Sequence, residues 1–383
     1  PGTFKDRAIM RANPYQVVEG LMIAAFAVGT DRAYIGVKAS FGREVAGLRR
    51  AVTEMQGAGI GPEFDIVVVE GPDEYLFGEE KAMLEVIEGR APLPRLLPPF
   101  QHGLFASAAH LGWSSRESPK AGEARTSNPT LVNNVETLAN VPHIVVRGPE
   151  WFRGLGRGAD AGTATCTVVG DVARAVVAEV PMGTPLQEVI ALAGPPPGGR
   201  PIKAVLSGVA NPVITRFDMP LGYETFAAAG TGLGSCGFVV YDDTACMVEV
   251  ARQVSRFLHV ESCGQCPPCK MGSREITIRL ERLEAGAADD ADVAAIGGWL
   301  ERVTDSNRCY LAVEEQQTIA SLLRAFPEEF AEHLELHRCP RPRTLPLPKI
   351  VDIVDGVARY DERQYLKRPD WTYGTTSELI ADL

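Results

Sequence analysis

Ala33-Tyr34-Ile35-Gly36-Val37-Lys38-Ala39 reads as a β-strand, and the two segments after it decide the fold. Glu44 to Gln56 has helical patterning and ends at Gly57 and Gly59, and Phe64 to Glu70 is a second run of strand length. Strand, helix and strand in so short a span make a βαβ unit, and such a crossover forces parallel pairing. Just upstream, Pro14 opens a helix in which Val17, Val18, Leu21, Met22, Ala25 and Val28 recur on one side until Gly29. The first region is therefore α/β.

Further along, residues 92 to 100 cannot be regular structure, because Pro92, Pro94, Pro98 and Pro99 remove backbone donors. From His102 to Pro129 the chain is polar and irregular, and loops of that length usually carry function or mobility. Short β-branched runs then follow at Cys166–Gly170, Ala175–Val180, Ala204–Ser207 and Gly237–Tyr241, with one helix near Leu186 to Ala193. They suggest a small α+β module. Beyond Ala245 the pattern turns helical, over roughly 245–260, 268–285, 291–304 and 312–325. A Pro-rich tail after Cys339 offers a hairpin, Lys349–Val354 and Val357–Tyr360, around Asp355-Gly356.

Composition narrows the function classes. The 383 residues can bury a sizeable core in two or three domains. Net charge is −11, with 49 acidic against 38 basic residues and no Lys/Arg cluster, which argues against a nucleic-acid partner. Eight cysteines are too few for a disulfide scaffold and suggest a reducing compartment. The longest apolar run, Leu21 to Val28, is too short to cross a bilayer. These features lead us to expect a soluble cytoplasmic protein, at most peripheral to a membrane complex and not inserted in it.

Four of the cysteines carry the chemistry. Cys263, Cys266 and Cys269 are spaced in a single turn, and Cys309 follows far downstream. Three close thiolates with one remote partner is how a chain wraps a [4Fe–4S] cluster. Zinc could use the same thiolates, although structural zinc sites usually arrive as two separated pairs. A disulfide fails on geometry, because so tight a turn cannot pair three neighbours. We carry the iron–sulfur reading forward, with zinc and inert cysteines as the alternatives. Cys166, Cys236 and Cys246 lie in apolar runs and read as small buried hydrophobes. His333, His337 and Cys339 have metal-like spacing on an acidic helix, and a solvated face is the reading preferred there.

Motifs at Pro1-Gly2-Thr3-Phe4-Lys5-Asp6-Arg7, Tyr75-Leu76-Phe77-Gly78-Glu79-Glu80 and Asn133-Asn134-Val135-Glu136-Thr137 precede the cysteine run in that order. Together they resemble the NADH-oxidising flavin subunits: the 51-kDa subunit of respiratory complex I and the diaphorase subunits of NAD-linked hydrogenases and formate dehydrogenases. The resemblance covers about residues 1 to 335. It implies a Rossmann-like flavin/NADH domain over 1–160, a ubiquitin-like β-grasp module over 161–244, a helical [4Fe–4S] domain over 245–338 and a tail over 339–383. It implies FMN, NAD(H) and a [4Fe–4S] cluster as cofactors. The implied partners are a small thioredoxin-like [2Fe–2S] subunit and a larger catalytic subunit.

Carried onto this sequence, the resemblance puts Glu79 and Glu80 beside flavin and nicotinamide as the catalytic carboxylates, with Tyr75 and Gly78 framing them. An acidic pair opening a helix is the plainer alternative. Asn133, Asn134 and Thr137 would hold the ribityl phosphate, or else serve only turn chemistry. Phe100 would stack on the adenine of NADH. Lys5, Asp6 and Arg7 would support the flavin from behind or form a surface charge run.

The chain also departs from the family. Leu97 stands where a lysine is common, 102–129 is longer, and Cys309-Tyr310-Leu311-Ala312 replaces Cys-x-Leu-Gly. The family's glycine-rich flavin-phosphate loop precedes the motif at Pro1, so an upstream segment with that loop and one more strand and helix is expected. These departures also support a second reading: a cluster-carrying docking subunit that has lost FMN and NADH.

Overall fold

The computed structural model describes residues 1–61, 65–108 and 126–375 and divides into two compact units, Asp6–Gly148 and Pro1–Lys5 with Pro149–Leu383. The fold is mixed α/β.

The smaller unit holds the expected βαβ. Helix α1 runs Lys5–Ala12 and α2 Pro14–Val28; β1 (Arg32–Lys38), α3 (Gly42–Gly57) and β2 (Asp65–Gly71) come next. The two strands pair in parallel, Arg32 opposite Asp65 through to Lys38 opposite Gly71. Phe64, where the second strand was expected to begin, lies outside the described residues. Asn13 caps α2, Pro14 occupies its first turn, and Gly29 closes it at φ 72°. That left-handed exit costs glycine nothing. Val45, Leu48, Val52 and Met55 of α3 pack against Val17, Val18 and Met22 of α2 and against Ile35, Val37 and Ile66 of the strands. Each such side chain contributes about 1.5–3 kcal/mol by leaving water.

The charged run at the N-terminus becomes α1 and works as a pin. Arg7 and Arg11, one turn apart, both reach Glu44 of α3, at 2.8 and 2.6 Å, and the Glu44 side chain is fully buried. The Arg7 guanidinium also lies 4.1 Å from the centre of the Phe41 ring. Among the described residues this unit also holds the helices α4 (Glu80–Ile87) and α5 (Val135–Arg147). Pro142 inside α5 masks the helix in the sequence. A side chain at Gly20 would sit 2.0 Å from the Leu138 carbonyl, so only glycine lets α2 and α5 approach this closely.

After the short helix α6 (Pro149–Arg153), the larger unit opens with β3 (Thr163–Gly170), β4 (Val176–Pro181), α7 (Leu186–Ala191), β5 (Ile202–Ser207), α8 (Tyr223–Ala228) and β6 (Gly237–Asp242). The sheet order is β4-β3-β6-β5, with the central pair parallel and both outer strands antiparallel to their neighbours. Leu186, Val189, Phe226, Phe238 and Val240 fill the space between sheet and helices. The helices α9 (Met247–Glu261), α10 (Pro267–Glu284), α11 (Asp290–Leu300), α12 (Leu311–Ala325) and α13 (Pro327–Leu336) come after the sheet. The hairpin β7 (Ile350–Val354) and β8 (Val357–Tyr360) forms as expected, with Asp355 and Gly356 at φ 50° and 78°. The tail then returns to the helices. Arg256 of α9 donates to the carbonyls of Gln364, Tyr365 and Lys367.

Candidate functional site

Two sets of candidate residues arise, one in each unit. In the smaller unit, the carboxyl ends of β1 and β2 set the position. Lys38 Nζ donates to the Asp73 carbonyl at 2.9 Å, and Ser40 hydroxyl to the Asp73 carboxylate. This fixes the chain leaving β2. It then forms a single 3₁₀ turn, Tyr75–Gly78, whose Phe77 is buried on the sheet. A side chain at Gly71 would lie 2.2 Å from the Phe77 ring, and one at Gly36 2.5 Å from Met83. Two glycines on the strands therefore let this turn and α4 seat closely. Ligands of open α/β sheets bind at that end of the strands.

Tyr75 and Gly78 bound this turn, and Glu79 and Glu80 follow it directly into α4. Glu79 is half-buried and caps α4, accepting from the Ala82 N–H at 2.9 Å. Burial pushes its carboxyl above the ordinary carboxylate range, and the like charge of Glu80 pushes the same way; Lys81 opposes both. Glu80 is exposed in the first turn of α4. The cap uses one Glu79 carboxylate oxygen, and the other lies 3.7 Å from Lys81 Nζ.

Asn134 caps α5 by accepting from the Glu136 N–H, and its amide donates to Asp6 at 3.2 Å. Asn133 and Thr137 flank it and are exposed. Phe100 is 67% exposed at the end of the Pro-rich segment. Arg95, buried within that segment, holds it to α4. It pairs with Glu85 at 2.6 Å and Glu88 at 2.7 Å, and donates to the carbonyls of His102 and Gly103. Sequence reasoning passed over Arg95. The stems of the long loop also meet: Gly103 N–H donates to the Ser127 carbonyl and Thr130 N–H to that of Pro99. Residues 109–125 of that loop lie outside the described residues. Gly78 is exposed beside half-buried Glu79 in the chain, and Phe100 is exposed on the Pro-rich segment.

In the larger unit, Cys263, Cys266 and Cys269 occupy the link from α9 into α10. Gly264, at φ 79°, makes the turn; Cys266 is the N-cap and Pro267 and Pro268 begin the helix. Proline has no donor to lose there and its φ is already helical. Cys269 is buried in the first turn, and burial pushes its thiol up to about 11, with neighbouring Cys266 and Cys263 adding to the shift and the Ser262 hydroxyl opposing it. Cys309 precedes α12. Arg308 beside it donates to the Gln265 side chain at 3.1 Å, which ties the remote cysteine's segment to the loop. A cationic metal centre would take these sulfurs as thiolates and offset the burial that raises the Cys269 thiol, so this set fits a cluster.

The loop is braced from behind by residues that local spacing could not reveal. Lys270 donates to the carbonyls of His259, Ser262 and Pro369. Glu261, directly before the loop, pairs at 2.9 Å with Lys367 of the tail, and both side chains are fully buried. Elsewhere in the unit, ligand atoms of Cys246, Glu284, His333 and Cys339 lie within 4.8 Å of one another. His337 stays outside that group, in a left-handed residue closing α13.

A βαβ unit followed by a carboxylate pair, and a three-cysteine loop between two helices of the larger unit, suit an oxidoreductase of the flavin and iron–sulfur class. Residues 1–143 match the Nuo51 FMN-binding domain and 249–333 the iron–sulfur binding region of NADH-ubiquinone oxidoreductase F. The chain belongs to the family of NADH-quinone oxidoreductase F subunits. It is 38% identical to the NADH-quinone oxidoreductase F 2 subunit of Rhizobium meliloti, over 89% of this chain and 79% of that one. It is 32% identical to the NADP-reducing hydrogenase subunit HndC of Solidesulfovibrio fructosivorans, over 88% of this chain and 67% of the relative. Among solved structures, an NAD⁺-reducing [NiFe]-hydrogenase in the air-oxidised state superposes with TM-score 0.74 at 28% identity, over 87% of this chain and 54% of that chain. This chain thus spans about half of that hydrogenase chain.

Proposed function

We propose that this chain is the NADH-oxidising, electron-relaying subunit of a larger redox complex. The observation that carries the reading is the order of its parts. An FMN-binding region contains the Tyr75–Glu80 turn at the carboxyl ends of parallel strands, and an iron–sulfur region contains a three-cysteine loop. When bound, FMN exchanges a hydride with NADH and a [4Fe–4S] cluster passes the electrons on singly. We assign Cys263, Cys266, Cys269 and Cys309 as the cluster ligands. Glu79 and Glu80 orient nicotinamide and flavin, Tyr75 and Gly78 shape the approach, Asn133, Asn134 and Thr137 hold the flavin phosphate, and Phe100 receives the adenine.

The modules accord with the same reading. Residues 1–160 form a Rossmann-like flavin domain, 161–244 a β-grasp module, 245–338 the cluster bundle and 339–383 a tail. The mixed sheet with its parallel central pair supports the second assignment. The partners are other subunits: a small [2Fe–2S] protein and a larger catalytic one. Among the described residues no helix is long and apolar enough to cross a membrane.

The test is an anaerobic absorbance spectrum of the purified protein, reconstituted with FMN, before and after NADH. Flavin bands that bleach within the mixing time are expected. Bound flavin that NADH leaves unchanged would favour a cluster-carrying docking subunit.

A further inference from the structure

We propose that Cys246, Glu284, His333 and Cys339 form a second metal centre, a closed structural zinc site separate from the cluster. Four different segments supply the ligands. Cys246 stands at the N-cap of α9, Glu284 ends α10, His333 lies on α13, and Cys339 opens the tail. Their ligand atoms all fall within 4.8 Å of one another. Cys246 Sγ lies 3.4 Å from His333 Nε2, and that nitrogen 3.5 Å from Glu284 Oε2. Bond lengths of about 2.0–2.3 Å to a tetrahedral zinc would make such ligand–ligand edges roughly 3.3–3.8 Å.

The surroundings also suit a metal. His333 is wholly buried, and its Nδ1 lies 2.6 Å from the Glu329 carbonyl. A proton held there leaves Nε2 bare and aimed at the other ligands, as zinc-bound imidazoles require. Glu284 Oε2 is screened from water, and its neighbours are the other members of this group, His333 Nε2 at 3.5 Å among them. A carboxylate oxygen screened from water and facing an imidazole nitrogen and two thiols has donors that a cation between them would replace. Glu329 is anchored in turn, accepting from the Met247 N–H and pairing with Lys203 at 2.5 Å. Two sulfurs, one nitrogen and one oxygen occupy all four positions, which leaves none for a substrate and makes the centre structural.

The sequence showed only part of the site. His333, His337 and Cys339 had metal-like spacing but were read as a solvated acidic face, and Cys246 as a small buried hydrophobe, because Cys246 and Glu284 lie far away in the chain. Their consequence is mechanical. The centre fastens the start of the tail to three helices, and the same tail carries Lys367 to Glu261 behind the cluster loop.

Metal analysis of the full chain, purified anaerobically without chelators, tests the proposal. About one zinc per chain is expected beside the iron, with zinc-edge X-ray absorption showing two sulfur and two nitrogen or oxygen neighbours. Cys246→Ser and Cys339→Ser should lose at least about nine-tenths of the zinc while retaining iron. Should either variant fail to fold, Glu284→Gln keeps the shape and should release zinc to a chelator about tenfold faster. Wild-type protein that neither contains nor takes up Zn²⁺ would overturn the proposal. So would zinc retained in both serine variants, an all-sulfur zinc spectrum, or an intact mass lowered by two hydrogens, which marks a Cys246–Cys339 disulfide.

Discussion

Glu79 and Glu80 are neighbours in the chain with different surroundings. Glu79 is half-buried with one oxygen engaged by the Ala82 N–H, and Glu80 faces solvent. Glu80→Gln removes a charge without disturbing the cap, so it should lower NADH oxidation at least about tenfold and leave iron content unchanged. Steady-state kinetics beside iron analysis checks this, and wild-type kinetics in the variant would reduce the pair to a helix cap. Glu315 is a residue that spacing could not flag. It is fully buried on α12, accepts from the Ser255 hydroxyl at 2.6 Å, and has its other oxygen without a partner. Burial, with Glu314 adding and Ser255 opposing, pushes its carboxyl up to about 8. Its folded value therefore lies above its unfolded one. The stability it contributes is full below the ordinary carboxylate value of 4.5 and is lost as pH rises through about 8. Glu315→Gln should flatten the fall in thermal midpoint across that window, and an unchanged slope would contradict the assignment.

Among the elements, periodicity exposed those whose neighbours are near in sequence. The βαβ unit, α2 with its proline start and glycine end, and the Asp355-Gly356 hairpin were all legible because propensity and pattern agree there. Helix α1 was not, since its partner Glu44 is remote and its own residues are charged. Helix α5 was hidden by Pro142. The tail offered a hairpin but no sign that it braces the cluster loop, because that depends on Glu261 and Lys367 meeting across the fold. Removing one partner leaves a buried, uncompensated charge. Lys367→Met should therefore cost about 3–5 kcal/mol, and adding Glu261→Leu should recover much of it. Chemical denaturation of both variants reads the difference; a single variant as stable as wild type would show that the pair does not hold the tail.

At the scale of the whole molecule, the order of motifs carried more than any one of them. Cys263, Cys266 and Cys269 suggested a cluster because their spacing is local, with Cys309 read as the remote fourth ligand; the fold adds the Arg308–Gln265 contact between the two segments. Arg95 and the group around His333 needed the folded chain, since each gathers partners from separate segments. The central claim is that NADH electrons entering at the flavin reach a cluster held by those four cysteines. Low-temperature electron paramagnetic resonance of the FMN-reconstituted protein, frozen anaerobically after NADH addition, tests it most directly. The account predicts a reduced [4Fe–4S] signal that appears with NADH in wild type and is lost in Cys266→Ser. An iron-loaded protein whose spectrum stays silent with NADH but responds to dithionite, or a signal unchanged in Cys266→Ser, would contradict it.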